Sequence, residues 1–200
     1  MDLADLLARR RMTRSFDGSA VDAAWLEERC ANALWAPTAG NSAGVRMHVV
    51  GHEDVSAYFD HATDATWRAS APRAPGLRRA GAVVLVTCQP ERYLERYGAD
   101  DKRTSGLDQR DAWPLPYWHA DAAMATMALL LLLEEADLAA TIWGSFRYAD
   151  AILRWANIDD GELFASVLVG RGDGADTPSR SLSRAVPSRR ARVTRVRPAN

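Results

Sequence analysis

Arg10, Arg11 and Arg14, three cations within five residues, form the first cluster of chemistry-bearing side chains in this chain. A guanidinium is planar and permanently charged, and it can hold two oxygens at once. This spacing therefore suits a phosphate dianion or an anionic ring edge. With no ligand at all, the same residues would sit well at a helix end, because cations complement its exposed carbonyls. A second segment, Ala36-Pro37-Thr38-Ala39-Gly40-Asn41-Ser42, sets one amide side chain behind a glycine. Asn41 can donate and accept, and Gly40 lets the backbone approach a flat ligand closely. The ligand-free reading is a plain loop from helix to strand. A third segment, Trp143-Gly144-Ser145-Phe146, offers backbone N–H groups that either meet a ring atom or only turn the chain.

Elements must position these groups. Asp2 is placed to cap a helix through Leu3, Leu6 and Leu7 towards Arg10. Ser19 and Asp22 precede a helical pattern of Leu26, Cys30 and Leu34, closed by Pro37. Residues 45–50 alternate as a strand, and 82–88 are a β-branched run fit for a central strand. Helices broken by Pro72 and Pro75 are expected across residues 52–80, whereas 89–118 read as the least regular stretch. Residues 118–138 predict a helix apolar on nearly all sides, destined for the interior or for a dimer. A short helix over 149–156, a strand over 163–169 and an exposed strand over 192–196 complete the pattern.

With 200 residues and 48% hydrophobic content, one compact domain over 1–200 is expected, with a basic extension from about residue 178. The net charge of −1 supplies no general field for nucleic acid or anionic membrane. From Pro178 to Arg197 the chain carries Arg180, Arg184, Arg189, Arg190, Arg192, Arg195 and Arg197 and no acid, a pattern also seen in nucleic-acid arms. Cys30 and Cys88, the only cysteines, read as buried free thiols in a reducing cytoplasm. His48, His52, His61 and His119 show no metal-ligand spacing, so no metal is expected. The apolar stretch 122–133 is shorter than the ~20 residues that span a bilayer. No nucleophile elbow, phosphate-loop lysine or dinucleotide fingerprint is present, so the chemistry must come from a cofactor.

In order and spacing these segments resemble the nitroreductase family of FMN-dependent oxidoreductases. The resemblance implies an α+β fold with a mainly antiparallel central sheet flanked by helices, working as a homodimer with FMN at the interface. It implies that Arg10, Arg11, Met12, Arg14, Thr38 and Asn41 border the flavin, and that backbone N–H groups of Gly144 and Ser145 reach its N5 and O4. A C-terminal arginine would complete the phosphate site, with Arg184 the first choice and Arg180 the second. Met12 stands where the family has a small hydroxyl residue, and Ala43-Gly44-Val45 stands where it often has Gln-Pro-Trp. The implied reaction is ping-pong: NAD(P)H reduces FMN, which then reduces a nitroaromatic, a quinone or a similar acceptor. Trp113, Tyr117 and Trp118 are read as the acceptor's stacking surface. Two alternatives stay open, an FMN-dependent dehydrogenase of a biosynthetic intermediate using oxygen, and a non-catalytic flavin-binding member.

Overall fold

The computed structural model describes residues 2–177 and 179–196, with Arg180 described by its backbone alone. Its frame is a four-stranded antiparallel sheet in the order β1-β2-β4-β3. These strands are β1 (Val45–Val50), β2 (Ala82–Cys88), β3 (Ala139–Trp143) and β4 (Glu162–Gly170). Strand β2 is an unbroken apolar run because helices cover both of its faces. Val84, Val86 and Cys88 face a layer built from α2 (Ala23–Ala33) and α7 (Tyr117–Glu135). Val83 and Leu85 face the opposite layer, which contains α3 (Val55–Ala62) and α8 (Ala149–Trp155).

Local chemistry sets the helix ends. The Asp2 and Asp22 side chains accept from Ala4 N and Trp25 N, capping α1 (Leu3–Arg9) and α2. Helix α7 stops at Glu135, three residues short of its expected end. Asp137 turns left-handed (φ 55°) and Leu138 N–H returns to the Leu133 carbonyl, which redirects the chain into β3. Pro72 separates α4 (Ala65–Ser70) from α5 (Ala74–Leu77), whereas Pro75 lies within the first turn of α5, where its missing N–H costs nothing.

Three expectations need correction. The stretch read as irregular contains α6 (Pro90–Gly98), started by Pro90 and Glu91 and anchored by buried Tyr93. Residues 192–196 are not a strand; a single 3-10 turn spans Arg190–Arg192 and an irregular segment follows. Alternation of Arg and Val supplies a strand pattern, but pairing also needs a free sheet edge. Strand β3 was not foreseen, and it is that edge. It carries an isolated bridge, Met12 to Ala140, where Thr13 N–H donates to the Ala140 carbonyl at 3.0 Å.

Candidate functional site

The N-terminal arginines divide their labour. Arg11 Nη1 donates to the carbonyls of Ala8, Arg9 and Arg10, closing the end of α1 as a helix-end cation does. Arg14 donates from Nη1 to the Met12 carbonyl, and its backbone N–H meets the Asp176 carboxylate at 2.9 Å. Arg10 differs from both, for its Nε and Nη1 are buried with no hydrogen-bond partner. A buried, unpaired cation is costly, so such a side chain is suited to an incoming anion. Arg10, Arg11, Met12 and Arg14 line a cavity of about 740 Å³ whose other wall is the tail, including Ser181 and Arg189. That volume lies within the usual range of small-molecule clefts.

Backbone packing holds this segment in place. Phe16 bridges to Gly172, and Ser15 Oγ donates to Asp173 at 2.7 Å. Gly76 passes so close that a Cβ there would lie 2.7 Å from the Arg14 carbonyl oxygen.

The Thr38–Asn41 loop is held by different residues. Buried Asp121, 1% exposed, accepts from Ala39 N–H and from the Tyr93 hydroxyl, both at 2.8 Å. Arg96 Nε donates to the Gly40 carbonyl, and Thr38 Oγ1 accepts from Ala43 N–H. Gly40 and Asn41 both take positive φ, 63° and 55°, and a Cβ on Gly40 would lie 2.8 Å from the Tyr97 ring. The Asn41 side chain faces outward, exposed at the tip. Burial and the Asp121 carboxylate together raise the Tyr93 hydroxyl above its ordinary value, keeping it a donor.

Gly144 and Ser145 follow β3. Ser145 is buried, with Oγ 3.1 Å from Ser166 Oγ on β4. Beside them burial pushes the Tyr58 hydroxyl up to about 12, although the two serine hydroxyls pull the other way. Four residue steps at ~3.3 Å each lead from Ala140, where the basic segment docks, to Gly144. The arginines and this turn therefore share one sheet edge.

The Asn41 loop does not join them. It is tied to Asp121 near the start of α7, whereas Arg9 Nε pairs with Glu134 at the other end of that helix. At ~1.5 Å per residue, about 20 Å of helix lies between the two anchors.

A family model described as the nitroreductase family matches residues 7–171. The chain belongs to the nitroreductase family. Solved structures agree in fold. A nitroreductase from Lactococcus lactis, CinD, in complex with nicotinic acid is 16% identical at a TM-score of 0.69, over 94% of this chain and 100% of that one. A putative nitroreductase from Bacillus subtilis, ydfN, is 18% identical at 0.68, over 96% and 98%. A putative NAD(P)H:FMN oxidoreductase from Staphylococcus epidermidis is 17% identical at 0.64, over 93% and 96%. No curated protein matches the sequence. This nitroreductase-family chain is accordingly an oxidoreductase of a family that is flavin-dependent in general. Among the described residues, no helix is long and apolar enough to cross a membrane.

The other expected residues lie at separate places in the fold. Among the tail arginines, Arg189 lines the basic cavity and Arg184 does not. Arg197 lies outside the described residues. Trp113 and Trp118, at 8% and 3% exposure, are packed with Tyr93 and Tyr97 in edge-on contacts, and so offer no open ring face. Tyr117, at 43%, is the exposed aromatic of the three. Asp121, Tyr93 and Arg96, which shape the Asn41 loop, carried no sequence signal beyond a carboxylate at the head of an apolar helix.

Proposed function

We propose that this chain is an FMN-dependent NAD(P)H oxidoreductase acting on a nitroaromatic, a quinone or a similar planar acceptor, as a cytoplasmic homodimer. The observation that carries the reading is Arg10, whose Nε and Nη1 are buried without a hydrogen-bond partner beside a cavity walled also by Arg14 and Arg189. A ribityl phosphate fits that donor set, since charge-assisted bonds to a dianion would satisfy what the fold leaves unmet. When bound, FMN supplies the hydride chemistry, accepting from NAD(P)H and then donating to the acceptor.

The chain's own part is binding and orientation. Arg10 would hold the phosphate, with Arg14 and Arg189 beside it. Backbone N–H groups at Gly144 and Ser145 on the same sheet edge would face the ring, anchored from below by the Ser145–Ser166 contact. The Asn41 loop is anchored about 20 Å away along α7, so the reading assigns that loop to the site of a second copy, with Tyr117 from the same end available to the acceptor. Exposed Leu3 and Leu7 on α1, Leu34 and Trp35 just past α2, and Met124 on α7 supply the apolar surface such a pairing would cover.

Purified protein should be yellow, and NAD(P)H should bleach it. Arg10→Ala should lower FMN occupancy, because losing a hydrogen bond to a charged group costs about 1.5–3 kcal/mol. Arg9→Ala, which removes the pairs to Glu134 and Asp137, serves as control. Equal flavin absorbance in the two variants after desalting would overturn the assignment.

A further inference from the structure

At the opposite end of α7 from the basic cavity, three metal-ligating side chains converge from separate elements. Cys88 Sγ ends β2, His119 Nε2 stands in the first turn of α7, and Glu162 opens β4; one ligand atom from each lies within 4.8 Å of the others. We propose that Cys88, His119 and Glu162 bind one zinc-class divalent cation per chain.

Backbone geometry preorganises the set. Cys88 and Glu162 are direct cross-strand partners, so the β2–β4 register places their side chains together. His119 Nε2 already lies 3.1 Å from Glu162 Oε2. A tetrahedral ion with ~2.0 Å bonds to nitrogen and oxygen and ~2.3 Å to sulfur needs ligand separations of about 3.3–3.6 Å. The His–Glu pair is therefore near coordination distance, and the sulfur closes by a shift on the order of 1 Å.

The ligand types choose the ion. Thiolate with imidazole and carboxylate selects zinc or a similar borderline metal over magnesium or calcium, which take oxygen. Three protein ligands leave a fourth position for water. On binding, the Sγ–H bond breaks, an Sγ–metal bond forms and the proton goes to solvent.

The surrounding charges complete the case. Arg110 pairs with Glu162 Oε1. Arg110 would give up Glu162 on metal entry and remain over the Trp118 ring, where its guanidinium already lies 5.3 Å from the centroid. His119 and Glu162 are partly exposed, which leaves a route from solvent.

The test uses the full chain, stripped with chelator and desalted, then titrated with Zn²⁺ against a chromophoric competitor and separately with Co²⁺. One ion per chain should bind, and Co²⁺ should give a thiolate charge-transfer band. Cys88→Ser and His119→Gln should each weaken Zn²⁺ at least ~100-fold, the upper end of what losing a ligand's supporting contact alone costs. Cys30→Ser should bind like the parent. Should Cys88→Ser fail to fold, Glu162→Gln, at a partly exposed position, supplies the same comparison. Absence of a Co²⁺–thiolate band, or equal affinity in parent, His119→Gln and Glu162→Gln, would overturn the site. Flavin content enters none of these readouts, so the result is independent of the flavin assignment.

Discussion

Asp121 shows how one buried side chain can shape a binding loop without touching a ligand. Its carboxylate holds Ala39 N–H and the Tyr93 hydroxyl at once, and so fixes the turn that presents Asn41. Asp121→Ala would strand the buried Tyr93 hydroxyl, at about 1–3 kcal/mol, and release the partly buried Ala39 N–H. It should lower the urea midpoint markedly, and Tyr93→Phe should cost less, because it removes one donor and leaves none stranded. Equal midpoints for Asp121→Ala and the parent would show that the loop is held by other means. Gly40 is the second sensitive position. Gly40→Val there meets both a positive φ and the Tyr97 ring, so thermal unfolding should begin at lower temperature than for the parent. Sequence made Asn41 and Gly40 visible by type and spacing. It hid Asp121, since a carboxylate heading an apolar helix reads the same whether it faces water or a loop 82 residues away.

At the scale of elements, α7 does most of the structural work. Leu129, Leu130 and Leu133 are buried within the single chain, so the face available to a partner is narrower than an all-round apolar helix implies. Met124, at 42% exposure, lies on that face, whereas Leu130 does not. Met124→Glu should therefore shift sedimentation towards monomer and lower FMN content with little change in monomer stability. Leu133→Ala should instead destabilise by about 2–5 kcal/mol, as buried leucine truncations do. If Met124→Glu sediments like the parent with full flavin, the partner surface is elsewhere. Helix α6 escaped sequence reading because its charges, Glu91, Arg92, Glu95 and Arg96, outnumber its buried contacts. Buried Pro90 and Tyr93 hold it, with Leu94 and Tyr97 partly buried against the core. Strand β3 escaped because Ala139–Trp143 is short and leads straight into the glycine turn, so the segment reads as much like a connection as a strand.

For the molecule as a whole, surface carboxylates set the acid limit. Asp17, Asp101 and Asp173 sit below the ordinary carboxylate value of 3.8, held chiefly by hydrogen bonds from Ser19, Arg96 and Ser15 respectively. A depressed folded value contributes stability that is full above the unfolded value and is lost as pH falls through the folded one. Urea midpoints should stay level near neutrality and fall below about pH 4, and Asp101→Asn should flatten part of that fall. An identical acid limb in the variant would exclude Asp101 from it. The sequence by itself determined the family, the strands β1, β2 and β4, the long apolar helix and the arginines beside Met12. Each of these is written in local periodicity or in residue type at short spacing. Tertiary structure alone decided which arginine is left unpaired, that Arg189 rather than Arg184 reaches the cavity, that Trp113 and Trp118 are core, and that Cys88, His119 and Glu162 meet. Those outcomes depend on strand register and helix length bringing distant positions together, and no local pattern in the chain encodes such distances.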